Sequence, residues 1–393
     1  MRTMRSCRPP GRGVGLEAVA PGKISRWLRK SAVAGMASTA LVTVVCSVPG
    51  SAAPMDNSAF GDVPLNQISV TGLHNAYDPA KGASILDGLD KGAHVLEIDV
   101  YTTYGGEHGW IVGHSDPFVN DNNCQHEDGP GSSTGKGSST GSGGAETTQE
   151  NGDLTACLDD LSRWSDSHPG HDPIYLKFEM KWGFRSDAAM GPADMDRLIA
   201  EHLGRRKVFT PADLLGAKYQ NLDQAAKAGA WPTWNQLRGK FLLYPITGTV
   251  ENVLASDHLD NLSTEQEYAE YVAGLAASGR IGQAMMFPNL SPGGAGGDPR
   301  TKYDAGLQPW FVLFDAGADY WLNNRDLSWY CANHYITVAT GAESVAPALD
   351  DTDPDPAAAA QRVQYLAQTG HSSVSTFDWM NTPGAFTVQS RSC

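Results

Sequence analysis

Short apolar runs of strand composition recur along this chain, and stretches with a helical pattern stand between many of them. The runs fall at 68–70, 95–101, 110–112, 174–178, 241–244, 284–287, 310–314 and 374–377. Several are continuously apolar, as strands buried on both faces are. Helical candidates lie at 83–91, 154–167, 192–203, 265–278 and 357–369. Strand and helix alternate about eight times, which predicts an α/β fold of parallel strands joined by crossover helices. The rhythm favours a TIM-type (β/α)8 barrel, regular or irregular, over a doubly wound sheet. One such barrel takes about 250 residues or more, and the chain has 393.

The N-terminus accounts for part of the excess. Arg2, Arg5, Arg8, Arg12, Lys23, Arg26, Arg29 and Lys30 precede an uncharged, mostly apolar stretch at 31–48, and Ser51-Ala52-Ala53 follows. This is the basic, apolar and small-residue order of a secretory leader. The apolar stretch only reaches the lower limit of the roughly 17–25 residues that span a bilayer, and small and polar residues dilute it. We therefore expect a signal peptide at 1–53, secretion, and a single barrel domain at 54–393. Residues 129–152 are rich in Gly, Ser and Thr and read as a flexible loop inserted in that domain.

Charge and cysteines fit the same compartment. The first 53 residues carry eight of the 29 basic and one of the 44 acidic residues, which leaves 21 against 43 and a net charge of −22. Such a chain repels phosphate backbones, so a nucleic-acid partner is not expected. Cleavage leaves Cys124, Cys157, Cys331 and Cys393. An even number in an exported chain predicts two disulfides. Cys124–Cys157 and Cys331–Cys393 are the favoured pairs, because each closes a local or terminal loop.

Polar residues gather at the C-terminal ends of the early strands. The first runs into Leu73-His74-Asn75-Ala76-Tyr77, and the second holds Glu97-Ile98-Asp99. The third ends in Gly113-His114-Ser115-Asp116, and the fourth holds Lys177-Phe178-Glu179-Met180-Lys181. Residues two apart share one side of a strand, and in a barrel the C-terminal strand ends meet on one face. Charges facing a barrel interior are costly unless paired or bound to a cation. Alone, a strand-end histidine is more often structural, and a Glu-x-Asp is more often a solvated face. Together on successive strands they point to a catalytic rim. The oxygen ligands Asn75, Glu97, Asp99 and Glu179 suit Ca²⁺ or Mg²⁺ better than zinc. His74 and His114 then serve as acid/base groups or anion stabilisers. Lys181 has two readings, a phosphate partner or a salt bridge to a ligand carboxylate.

In this order, H-N-x-Y, E-x-D, a second His and a later Glu, the chain resembles the phosphoinositide-specific phospholipase C superfamily, and within it the secreted calcium-dependent type of bacteria and fungi. The likeness extends to Leu86-Asp87-Gly88-Leu89-Asp90-Lys91-Gly92, Phe209-Thr210-Pro211-Ala212-Asp213, Ala230-Trp231-Pro232-Thr233, Leu237-Arg238-Gly239-Lys240 and Ser375-Thr376-Phe377-Asp378, and covers most of 63–393. The resemblance implies Ca²⁺ held by Asn75, Glu97, Asp99 and Glu179. It implies His74 stabilising charge on phosphorus and His114 protonating the leaving diacylglycerol oxygen. The substrate's inositol 2-hydroxyl would attack its own phosphate and give a cyclic diester.

The H…E-x-D…H core by itself also fits glycerophosphodiester and sphingomyelinase D-type phosphodiesterases. A non-catalytic secreted binding protein with a degenerate site is the rival from another class. The family's seventh strand carries arginines for substrate, and the run assigned to it here, Phe311-Val312-Leu313-Phe314-Asp315, has none. The fifth strand reads Leu243-Tyr244-Pro245 where the family has an acidic residue nearby. The expected partner is thus a phospholipid or another phosphodiester, met by a monomer in transient contact with a membrane surface. The late aromatics Trp310, Phe311, Tyr320, Trp321, Trp329, Tyr330, Tyr335 and Trp379 are core residues on the simplest reading, and a lipid-facing rim on the other.

Overall fold

The computed structural model describes residues 57–103, 109–125, 152–254, 262–293, 297–323 and 326–393. The expected leader at 1–53 and nearly all of the Gly/Ser-rich loop at 129–152 lie outside the described residues. Residues Ala52–Cys393 form one compact unit.

One 11-stranded sheet organises this unit. Its strands are β1 (Ile68–Leu73), β2 (Val95–Thr102), β3 (Trp110–Val112), β4 (Ile174–Met180), β5 (Val208–Phe209), β6 (Phe241–Thr247), β7 (Asn289–Leu290), β8 (Leu313–Gly317), β9 (Ile336–Thr340), β10 (Val374–Phe377) and β11 (Val388–Ser390). The order β5-β6-β4-β2-β1-β10-β9-β8-β7 is parallel throughout, while β3 and β11 add antiparallel to β2 and β1. The sheet curls and stays open in its ladders between β6 and β7. β5 pairs with Phe241 and Leu242 at the start of β6, and the Phe287 N–H reaches the Leu243 carbonyl at 2.8 Å just beyond. This is an α/β half-barrel, consistent with a distorted (β/α)8-type arrangement.

Two departures from the expected strands offset each other. The run at 110–112 is a strand, but it returns antiparallel along β2 and is not a stave of the parallel sheet. The stave missing from the sequence reading is β9. The apolar run at 284–287 is buried coil. The strand β7 begins only after Pro288, whose missing N–H cannot serve a ladder.

Local rules account for the helices that cover the sheet. Helix Leu154–Ser167 starts at Asp153, whose carboxylate accepts from the Thr155 N–H at 2.8 Å. Helix Thr264–Ala277 starts at Ser263, and helix Pro356–Gln368 at Asp355 with proline in the first turn. Each satisfies an orphan N–H of the first turn. β1 and β2 approach so closely at Gly72 that a Cβ there would collide with the Val95 backbone, which only glycine permits. Disulfides join Cys124 to Cys157 and Cys331 to Cys393. Of the late aromatics, Trp310, Phe311, Trp321, Tyr330, Tyr335 and Trp379 are buried, so they form core and not a lipid-facing rim. No described helix is long and apolar enough to cross a membrane.

Candidate active site

β2 and β4 run side by side in a register that sets Glu97 opposite Lys177 and Asp99 opposite Glu179. Alternation along each strand turns these four, and Lys181, to one side, while Leu96, Ile98, Leu176 and Phe178 turn to the other. All of them are buried. Carboxylate oxygens of Glu97, Asp99 and Glu179 lie within 4.8 Å of one another. Such crowding is repulsive, and two lysines relieve only part of it. Lys177 stands 3.2 Å from Glu97 Oε2 and 3.2 Å from Asp315 Oδ2. It donates to Thr340 Oγ1 at 2.7 Å, and that hydroxyl in turn donates to Asp315 Oδ1 at 3.0 Å. Lys181 stands 3.1 Å from Asp99 Oδ2 and 3.0 Å from Glu179 Oε1. Thr249 gives Glu179 Oε1 its N–H at 2.8 Å and its hydroxyl at 2.9 Å.

The ionisation pattern follows from this geometry. Burial, then the Glu179 and Glu97 charges, push Asp99 up to about 7 despite Lys181. Burial works against Glu179 ionising, yet Lys181 and Thr249 hold it below the usual carboxylate range. Burial likewise works against a charged Lys177, but Asp315 and Glu97 raise its pKa. Glu97 Oε2 and both Asp99 oxygens are buried, and their partners are few: Lys177 stands by the first and Lys181 by Asp99 Oδ2. Three close, buried carboxylates with only two lysines to balance them offer the oxygen ligands that a hard divalent cation takes. The Glu97, Asp99 and Glu179 cluster is compatible with such a site.

Asn75 and His74 reach this region from the end of β1. Asn75 is buried with φ 47°, a left-handed conformation that asparagine tolerates. The Ala76 N–H donates to the Glu97 carbonyl at 2.9 Å and ties the segment to β2. The buried Tyr77 hydroxyl lies 3.5 Å from Asn75 Oδ1. Its ionisation is suppressed by burial and by the Asp99, Glu97 and Glu179 charges.

His74 Nδ1 is 3.0 Å from Asp378 Oδ1, just past β10. Lys81 donates to the same oxygen at 2.6 Å and also to the His74 carbonyl. Burial disfavours a charged His74 ring, but Glu97 and Asp378 outweigh it and raise the pKa.

His114 is exposed, two residues past β3. Extending the β2–β3 register would bring its backbone level with Ile98, next to Asp99. Its carbonyl accepts from the Tyr101 hydroxyl at 3.0 Å. Lys181, Asp99 and Glu179 all act on Tyr101 electrostatically. Lys181 itself sits against ligand-type carboxylates, the second of its two readings.

Sequence reasoning did not assign Asp378, Lys81, Asp315, Thr340 or Thr249 to this site. Asp378 left a signal, an acid directly after a strand. The threonines left none, since a hydroxyl becomes a second support only once the strands are placed.

Comparisons with known proteins agree with this geometry. A family model described as Phosphoinositide phospholipase C, Ca2+-dependent, matches residues 144–263. The chain is 39% identical to a solved Ca²⁺-dependent phosphatidylinositol-specific phospholipase C from Streptomyces antibioticus, with a TM-score of 0.73, covering 84% of this chain and 99% of that one. A calcium-dependent phosphoinositol-specific phospholipase C from Pseudomonas sp is 22% identical with a TM-score of 0.59, covering 85% of this chain and 97% of that one, a likeness of fold. A search of curated proteins finds no match. With 39% identity over nearly the full length of a solved member, the chain belongs to the calcium-dependent phosphoinositide-specific phospholipase C family.

Proposed function

We propose that this chain is a secreted, Ca²⁺-dependent phosphoric diester hydrolase that cleaves phosphatidylinositol or a related phospholipid in the phospholipase C manner. The observation that carries the reading is the buried Glu97, Asp99 and Glu179 cluster, in a chain 39% identical to a solved enzyme of that activity. We read the fold as an irregular (β/α)8 barrel, supported by eight parallel staves besides the two-residue β5 and by the Phe287–Leu243 bond across the open edge. Residues 1–53 act as the signal peptide, and 54–393 form one domain that works as a monomer.

Asn75, Glu97, Asp99 and Glu179 would hold the Ca²⁺. When bound, the ion neutralises a phosphoryl oxygen and acidifies the attacking hydroxyl. The chain's own groups do the rest. Glu97 or Glu179 takes the proton of that hydroxyl. Asp378 accepts from His74 Nδ1, which leaves Nε2 to face the phosphate. The raised pKa keeps this ring charged where negative charge builds on phosphorus oxygens. His114 donates a proton to the departing glycerol oxygen. Lys181 holds Asp99 and Glu179 in place.

Phe118 and Val119, on the loop that follows His114, are 65% and 52% exposed. Phe118 has its neighbour Trp182 edge-on, with ring centroids 6.1 Å apart. Exposed apolar side chains beside the proposed acid suit brief contact with a lipid surface. Product analysis on a phospholipid panel, with Ca²⁺ and with chelator, tests the reading. Diacylglycerol release that needs Ca²⁺ and is greatest for an inositol headgroup is expected. Release of free choline or another headgroup alcohol, with phosphate left on the lipid, would contradict it.

A further inference from the structure

A second group of metal-ligating side chains stands away from the carboxylates. Cys331 in the short helix Ser328–Ala332, His371 before β10, and Cys393 each offer one ligand atom, all within 4.8 Å of one another. Ser390, three residues before Cys393, pairs with Ile68 at the start of β1. This group therefore sits by the N-terminal strand ends, opposite the C-terminal ends where His74 and the carboxylates gather. Cys331 and Cys393 border a cavity of about 400 Å³ lined also by His334 and Arg391. Two sulfurs and an imidazole are a soft donor set, suited to Zn²⁺ and other thiophilic ions and unlike the all-oxygen cluster.

In the oxidised chain the sulfurs are joined to each other and cannot ligate as thiolates. A reductant can reach them, because Cys331 is half-buried and Cys393 exposed. The Cys124–Cys157 pair is 3% and 0% exposed, and no histidine groups with it among the described residues.

Reduction would ordinarily let a chain end drift away. Here other bonds hold it. β11 pairs with β1. The buried Arg391 donates to the carbonyls of His371 at 2.6 Å, Asn66 at 2.9 Å and Tyr335 at 2.8 Å, and to Thr337 Oγ1 at 3.1 Å. The Ser392 N–H reaches the Ala367 carbonyl at 3.2 Å. His371 Nδ1 donates to the Ser392 carbonyl, which leaves Nε2 as the free ligand nitrogen. A backbone carbonyl on the far ring nitrogen is the usual outer support of a metal-binding histidine.

We propose that Cys331, His371 and Cys393 form a thiophilic metal site that the disulfide masks and reduction opens. A dithiol supplies two electrons to the S–S bond and becomes a disulfide itself, and its two protons pass to the two cysteine sulfurs. Binding of one divalent ion then releases both protons. The cavity provides the fourth position, for water or His334.

The test uses the full chain, reduced with a dithiol, cleared of reagent under inert gas and titrated with Co²⁺. A near-ultraviolet thiolate-to-cobalt charge-transfer band is expected after reduction and not before it. Co²⁺ on the carboxylate cluster cannot produce that band. Zn²⁺ should displace it. Cys331→Ser should abolish it, and His371→Ala should weaken Co²⁺ binding on the order of 10–100-fold. Three results would overturn the proposal. One is no band in reduced protein that keeps its far-ultraviolet dichroism. The second is a band of undiminished strength in Cys331→Ser. The third is loss of the fold on reduction, which would contradict the anchoring by Arg391.

Discussion

His74 and His114 occupy different settings, which suit the different roles proposed for them. His74 is held by Asp378 at 3.0 Å and backed by Lys81, whereas His114 is exposed and free to meet a leaving group. His114→Ala should lower turnover by roughly 10²–10⁴-fold. A substrate with a nitrophenol leaving group needs no proton and should recover much of that loss. His74→Ala should show no such recovery, because the role proposed for it is to stabilise charge on phosphorus oxygens. Equal losses on both leaving groups for His114→Ala would reject its role as acid.

Asp378 is a positioning residue. Its charge helps raise the His74 pKa, and the charged ring is lost as pH rises through that value. Asp378→Asn should therefore move the alkaline limb of the kcat profile to lower pH and leave KM nearly unchanged. An unmoved limb would reduce Asp378 to a structural role. The Glu-x-Asp and Lys-x-Glu-x-Lys spacings were legible in the sequence because period-two geometry is local. The pairing of each lysine was not, since Lys177 finds Asp315 from a strand more than a hundred residues away.

At the scale of elements, sequence pattern recovered helices more closely than strands. The helix expected at 154–167 spans Leu154–Ser167, because its cap and amphipathic face are local signals. The helix expected at 83–91 forms only over Asp87–Asp90. A strand's direction and partner are not local, which is why 110–112 reads in the sequence as one more parallel strand. β9, with two threonines and an alanine among its five residues, lacks the apolar continuity that marks its neighbours. Counted without the two-residue β5, the seventh parallel strand is β9 and not the run at 311–315, and it too lacks arginine.

The loop after β3 supports a prediction of its own. Changing Phe118 and Val119 to Ser should weaken sedimentation with phosphatidylinositol vesicles and slow turnover on them. Turnover of a soluble, short-chain substrate should stay near the parent value. An equal loss on the soluble substrate would show that the loop shapes the site and does not meet lipid.

Across the whole molecule, buried charge sets the stability profile of the Ca²⁺-free protein. Burial opposes ionised Asp172, yet Asn57 at 2.7 Å and Arg238 at 2.6 Å hold its pKa down. Asp223 is likewise held down, against burial, by Lys227, Tyr335 and Arg300. Their contribution is present above the ordinary aspartate pKa and is lost as pH falls below about 4. Asp196 works in the opposite sense. Burial pushes it up to about 8 even though Tyr268 and the Met285 N–H donate to it. Its contribution is complete at acid pH and is lost as pH rises toward and through 8. Melting temperature should fall between pH 6 and 9, and Asp196→Asn should flatten that fall. An unchanged slope in the variant would remove Asp196 from the account.

On the proposed function, phosphodiester cleavage depends on Ca²⁺ held by the buried carboxylates. Calorimetric titration of the protein with Ca²⁺, run beside phosphatidylinositol turnover, tests it most directly. One site is expected, with turnover that tracks its occupancy and weaker Ca²⁺ binding in Asp99→Asn, which removes a formal charge and keeps the shape. Full turnover in excess chelator, or Ca²⁺ binding that Asp99→Asn leaves untouched, would contradict it.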